Sequence, residues 1–376
     1  VSTGNLAAKQ QHMRIAEVIR ALEHWAPPTL QEEYDNCGLQ VGNADAEVEQ
    51  ALLTLDCTES VVDEAVQRGC GLVITHHPVI FKGLKSLAGD NDVQRTLLAA
   101  VKHQVAIYAI HTNLDNVRSG VSGEMAGRMG LKTLRVLDAK PDQLCKLAVF
   151  VPEGHADQVR NALFSAGAGQ VGAYDECSFN MAGTGTFRAG PGTEPFIGER
   201  GIRHSEPEIK IEVIAPVHAT ATVLAAMKAV HPYEEVAYDI QPLVNLHSGV
   251  GSGVLGEWER PMEEGAFLDR LKTVFGSPVV RHSRLRGKPV RTVALCGGSG
   301  AFLIRKAMAA GADAYVTGDV KYHEFFLPDG RMLLADIGHY ESERFTPELV
   351  KNHLGRILPT FATRLSKTGT NPIHFH

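Results

Sequence analysis

The chain has 376 residues, enough for two or three domains with hydrophobic cores of their own. Its 44% apolar and 21% charged residues are ordinary for a soluble globular protein, and its net charge of -6 comes without a lysine-arginine run, so nucleic acid is not an expected partner. No stretch approaches ~18 uninterrupted apolar residues, so no membrane span is expected. The N-terminal segment lacks an apolar core followed by a small-residue cleavage site. Six scattered cysteines without a CxxC pair read as free thiols in a reducing compartment, and the expected location is cytoplasmic.

A first helix is expected over residues 12–24, with Ile15, Val18, Ile19 and Leu22 on one face and Pro27-Pro28 ending it. Asp35-Asn36 beside Gly38 reads as a polar turn, or as part of a pocket rim, feeding a short apolar segment. A strand over 51–56 and a helix over 58–67 closed by Gly69 follow. Next, the apolar run Leu72-Val73-Ile74 ends in Thr75-His76-His77-Pro78. Pro78 removes a backbone donor and keeps His77 out of the helical region, so the paired imidazoles sit where a strand gives way to a loop. A helix over 93–102 leads to another apolar strand, from Val105 into His111-Thr112-Asn113-Leu114-Asp115. Alternating strands and helices predict a parallel or mixed sheet covered by helices.

The pattern restarts near residue 137, with a strand over 147–151 and a helix over 155–165. The glycine-rich stretch 183–201 reads as loops and hairpin turns. A strand over 209–214, a helix over 219–230 and a strand over 236–240 complete this block. Two strand-helix-strand halves around an antiparallel sheet make it a ferredoxin-like α+β insert, bounded at 138–246. Residues 246–256 form a glycine-rich re-entry. The last segment holds a helix over 265–275, a strand over 290–295, a helix over 301–310 and a strand over 312–317. It ends with an apolar run from Leu333 into His339 and a helix over 342–354.

The first and last segments echo each other. Each has strand, helix, glycine joint and strand, then an apolar strand ending in histidine with a carboxylate four residues on: His111 with Asp115, and His339 with Glu343. The expected fold is therefore α/β, with duplicated halves over 1–137 and 247–376 forming one cleft and the insert between them. In that cleft His76, His77 and Asp115 can meet His339 and Glu343. Three imidazoles and two carboxylates are too many ligands for one tetrahedral ion that keeps a substrate position. They suit two divalent ions roughly 3.5–4 Å apart, with a bridging carboxylate and a bridging water or hydroxide as nucleophile. Glu343 is the candidate bridge. His111 is either a ligand or a residue orienting Asp115 or bound water. His323 is a candidate for proton transfer, or a surface histidine on a helix. Nitrogen and oxygen donors without cysteine fit zinc, placed first, or iron, manganese or cobalt.

Several stretches together resemble the Nif-three-like family of dinuclear-metal hexameric proteins, often labelled GTP cyclohydrolase I type 2 homologues. They are Asp35-Asn36-Cys37-Gly38-Leu39-Gln40-Val41-Gly42, Thr75-His76-His77-Pro78-Val79-Ile80-Phe81 and His111-Thr112-Asn113-Leu114-Asp115. Two more are Thr317-Gly318-Asp319-Val320-Lys321-Tyr322-His323 and Asp336-Ile337-Gly338-His339-Tyr340-Glu341-Ser342-Glu343. The resemblance implies metal ligands at His76, His77, Asp115, His339 and Glu343, and a toroidal homohexamer built as a trimer of dimers. The middle block, with His231-Pro232-Tyr233-Glu234-Glu235, resembles the insert of longer bacterial members, similar to CutA and PII-type signalling folds. The implied reaction is hydrolysis of a small molecule, possible substrates being a nucleotide such as GTP or a phosphoester. Phosphates would fall to the metals, loop amides or scattered Lys82, Lys85 and Lys321, because no GxxxxGK loop is present. The competing expectation is a non-catalytic metal-binding regulator or scaffold whose insert senses a ligand.

Overall fold

The short apolar runs become buried strands. The computed structural model describes residues 12–376 and divides into two units, one from residues up to 138 together with 249–376, the other from 139–248. Among the described residues no helix is long and apolar enough to cross a membrane.

The first unit contains a five-stranded sheet in the order Ala362–Leu365, Gln50–Thr54, Leu72–Thr75, Ala106–Ala109, Gly38–Val41. The first four strands are parallel and the last is antiparallel. The three central strands are buried along their whole length. They carry apolar residues at successive positions because helices cover both faces of a parallel sheet. Leu53, Ile74 and Tyr108 pack on Ile15, Val18 and Leu22 of helix Ile15–Trp25. Leu52, Val73 and Ile107 point the other way, toward Val61, Val62 and Ala65 of Glu59–Gln67 and Leu97 and Ala100 of Asp92–Lys102. Each such valine, leucine or isoleucine contributes roughly 1.5–3 kcal/mol of burial. The helix Asp92–Lys102 starts where the Asn91 side chain accepts the Gln94 amide at 3.0 Å.

A second, six-stranded sheet has the order Arg281–His282, Leu333–Asp336, Ala314–Gly318, Val290–Ser299, Gly251–Met262, Lys132–Ala139. Its three consecutive parallel strands again have a preceding strand antiparallel against the third. Helix Glu264–Phe275 supplies Phe267, Leu271 and Phe275 to one face, and Leu303, Ile304 and Ala307 pack on the other.

The second unit is antiparallel throughout, in the order Tyr238–Leu243, Leu144–Pro152, Arg203–Pro216, Phe179–Arg188. Helices Ala156–Ser165 and Thr220–Val230 bury Val159, Leu163, Val223 and Met227 against Leu147, Val149, Val151, Ile211 and Val213.

Several expectations are corrected. The glycine-rich stretch begins in a ten-residue strand, Phe179–Arg188, whose side chains are mostly exposed. An edge strand with one partner needs no apolar alternation, so its sequence reads as loop. The re-entry at 246–256 opens the long strand Gly251–Met262. The final helix is two helices, His339–Glu343 and Thr346–Ile357. Pro347 lies in the first turn of the second, where its missing N–H costs nothing.

Candidate metal centre

Apolar strands that stop at polar residues place those residues at a sheet's carboxyl edge, where open α/β sheets take their ligands. His76 and His77 follow the strand Leu72–Thr75, and backbone bonds to Thr54 and Leu55 carbonyls hold both amides there. His111 follows Ala106–Ala109, and its carbonyl accepts the Asp115 amide at 3.1 Å as the chain turns helical. His339 and Glu343 lie one helical turn apart on His339–Glu343, so their side chains share a face.

These residues converge within the first unit. Glu343 is 2% exposed and stands at the centre. Its Oε2 lies 2.9 Å from His77 Nε2 and 3.1 Å from His339 Nε2, and its Oε1 lies 3.8 Å from His76 Nε2. His76 Nε2 also faces Asp115 Oδ1 at 3.7 Å. The groups His76/Asp115/Glu343 and His77/His339/Glu343 each have the spacing to hold a metal ion, as do His76, His77 and His111. The first two groups share Glu343.

Every imidazole is fastened by its other nitrogen. His76 Nδ1 donates to the Ile110 carbonyl at 2.8 Å. Asp56 holds His77 Nδ1 at 2.7 Å, Asp319 holds His339 Nδ1 at 2.7 Å, and Asp35 holds His111 Nδ1 at 2.8 Å. Such partners fix ring orientation and raise basicity, the usual arrangement around metal-ligating histidine. Sequence reasoning gave Asp56 and Asp319 no role, and placed Asp35 only in a polar turn or at a pocket rim. Asp56 and Asp319 do follow apolar strands of their own, Gln50–Thr54 and Ala314–Gly318, but nothing local ties either to the histidine it meets.

The electrostatics follow from this geometry. Burial opposes charge on His77 and His339, but Asp56 and Glu343 raise His77 to about 10, and Glu343 and Asp319 raise His339 to about 9. Burial alone would raise the Glu343 carboxyl, yet contacts with His339, His76 and His77 hold it well below the usual carboxylate range. Burial and the nearby Glu343 charge push Asp115 up to about 7. Two carboxylates thus compete for positive charge in a half-buried cleft, a situation a divalent cation relieves.

The donor set fits such an ion on independent grounds. His76 Nε2 and Asp115 Oδ1 are buried without a hydrogen-bond partner, although they face each other across 3.7 Å. Buried polar atoms are seldom left so. Gly298, at φ +61°, leaves room beside the cluster, since a Cβ there would stand 2.3 Å from Glu343 Oε1.

His323 does not join the cluster. It is exposed on the turn Tyr322–Phe326, its ring against Tyr322 and Phe326. The chain reverses at Asp319, φ +54°, which turns that carboxylate toward His339 while carrying His323 onward. His111 is the additional imidazole at the site, its ring centroid 5.2 Å from that of His76 and 5.3 Å from that of His77.

Fold and cluster together define a mixed α/β protein with a histidine–carboxylate site that could hold metal. The Duf34/NIF3 (NGG1p interacting factor 3) family matches residues 13–372, and the chain belongs to that family. A Halalkalibacterium halodurans protein named GTP cyclohydrolase 1 type 2 homolog is 42% identical, covering 92% of this chain and 94% of its own. A Bacillus subtilis protein of the same name is 37% identical over 96% of this chain and 98% of its own. Among solved structures, a Bacillus cereus protein related to NIF3 superposes with a TM-score of 0.85 at 35% identity, covering 98% of this chain and all of that one.

Proposed function

We propose that this protein is a metal-dependent hydrolase with a dinuclear centre. His76 and Asp115 hold one ion, His77 and His339 the other, and Glu343 is shared. The observation that carries this reading is the shared carboxylate: two three-residue groups with metal-binding spacing meet at one buried glutamate. When bound, such a pair of ions supplies Lewis acidity for activating water and substrate at neutral pH. The chain's own residues do the remaining work. Asp56 and Asp319 keep the imidazole rings aimed inward. His111, fastened through Nδ1 to Asp35, is the residue that moves a proton, at its Nε2. In this role it replaces His323. Zinc is the first choice of ion, and iron, manganese and cobalt suit the same donors.

The name carried by the relatives makes GTP the first substrate to try, beside a panel of nucleotides and phosphoesters. Four strands of each sheet follow one order, three parallel strands with an earlier one antiparallel against the third, which supports an origin by duplication. The strand-helix-strand-strand-helix-strand succession of the second unit supports the ferredoxin-like reading of the insert. Family membership supports a homohexamer, which light scattering would test. Six free cysteines are in keeping with a cytoplasmic, reducing setting.

Elemental analysis of purified protein should find two ions per chain, falling to one or none in Glu343→Ala with the far-ultraviolet dichroism unchanged. The reconstituted wild type should turn over at least one panel member in a metal-dependent way. Two ions retained without Glu343 would overturn the ligand assignment. Absence of turnover across the panel would overturn the hydrolase assignment.

A further inference from the structure

The second unit contains a cavity of about 640 Å³ that is separate from the metal centre. It lies on the sheet face opposite the two helices. Val149, Val151, Ile211 and Val213 point toward the helices, and the alternation of strand side chains sends Phe150, Glu208 and Lys210 the other way. The volume is that of a typical small-molecule site, and the lining is mostly apolar.

Aromatic rings form much of the wall. Tyr233 lies 5.9 Å from Phe187 and 6.4 Å from Phe196, centroid to centroid, and Phe150 lines the sheet side. Among them is Glu208, 9% exposed, whose Oε1 accepts the Tyr233 hydroxyl at 2.8 Å. Gly185 on the neighbouring strand makes room for this carboxylate, because a Cβ there would stand 2.1 Å from Glu208 Oε2. Among the described residues no cation stands within ion-pair distance of Glu208. Lys210, two residues along the same face, is bound instead to Glu212 at 2.6 Å. Arg188 also lines the cavity, but so do Glu234 and Glu235. Glu234 accepts the Glu194 amide at 2.9 Å, which fastens the loop that carries Phe196.

A buried carboxylate facing an apolar cavity is costly unless a positive charge reaches it. Aromatic faces around that carboxylate attract the same kind of charge through their quadrupoles. An anionic ligand would meet three glutamates against Arg188 and a Lys210 already paired with Glu212, and a neutral one would leave Glu208 without a counter-charge. We propose that this cavity binds a small organic cation, an ammonium or guanidinium group on an apolar body, with Glu208 as its counter-ion and Phe187, Phe196 and Tyr233 as its aromatic walls.

The test is calorimetric titration of the full-length, metal-loaded protein with choline, with agmatine, and with 3,3-dimethylbutan-1-ol, the neutral isostere of choline. At least one cation should bind saturably, at least tenfold tighter than the neutral alcohol. Glu208→Gln should weaken it tenfold or more. Phe196→Ala, on an exposed loop where folding is not at stake, should weaken it at least threefold. Glu343→Ala should leave cation binding unchanged, which separates this site from the metal centre. The proposal is overturned if neither cation binds, if the neutral alcohol binds as tightly, or if both cavity variants bind like wild type.

Discussion

Removing the carboxylate behind His77 should loosen the metal without touching any ligand. In Asp56→Ala the His77 ring loses its 2.7 Å anchor at Nδ1 and keeps the contacts of Nε2 with Glu343 at 2.9 Å and His339 at 3.4 Å. Losing the partner that orients a ligating histidine costs about 10–100-fold in metal affinity, roughly 1.4–2.8 kcal/mol. Asp56 also accepts the Thr370 hydroxyl at 2.8 Å, so the variant loses a second bond of about 1 kcal/mol to stability. Thr370→Val removes that second bond alone and serves as the control. A chelator competition followed by elemental analysis should show the loss for Asp56→Ala and near-normal retention for Thr370→Val. Asp56→Asn, which can still accept from Nδ1, should fall between alanine and wild type. Equal affinity in Asp56→Ala and wild type would mean that the neighbouring rings alone fix His77, and the orienting role would fail.

Two further predictions concern other parts of the first unit. Gly298→Ala should lower metal content because its Cβ meets Glu343, while Gly311→Ala, also at positive φ but with open space around it, should destabilise without affecting metal. Equal metal loss in both would assign the effect to backbone strain. Glu64 accepts bonds from Ser366, Lys367 and Thr368, and although burial alone would raise its pKa, these bonds and Arg68 hold it down to about 2 from an ordinary 4.5. Its folded pKa is depressed, so its stabilisation is fully present above 4.5 and disappears as pH falls through about 2. Glu64→Gln should therefore cost about 2 kcal/mol at pH 7 in urea unfolding, with the gap to wild type narrowing below pH 4.5. A gap independent of pH would refute the assignment.

The legible features were those encoded locally. An apolar run cut off by His76-His77-Pro78 states both its strand and its chemistry within seven residues, and the spacing of His339 and Glu343 states their shared face. The acids that orient the rings were not legible, because Asp35 meets His111 across 76 positions and Asp319 meets His339 only after a reversal of the backbone. Gly298 likewise acts through the space it leaves beside a side chain 45 residues away. Of the two readings of His323, proton-transfer residue or surface histidine, the exposed turn Tyr322–Phe326 agrees with the second, and no local pattern told them apart. The edge strand Phe179–Arg188 was missed because an exposed strand with a single neighbour carries no hydrophobic period.

The contact of His77 with Glu343 has a consequence for biosynthesis. It spans 266 positions, so it closes one of the longest loops in the chain. Contacts of such separation form late, after their loop-closure entropy has been met by other structure. A chain emerging N-terminus first displays His76, His77, His111 and Asp115 long before Glu343 exists to complete the site. The nascent protein thus carries only part of the histidine–carboxylate cluster, which is completed once the segment bearing His339 and Glu343 has been made and has met the first sheet.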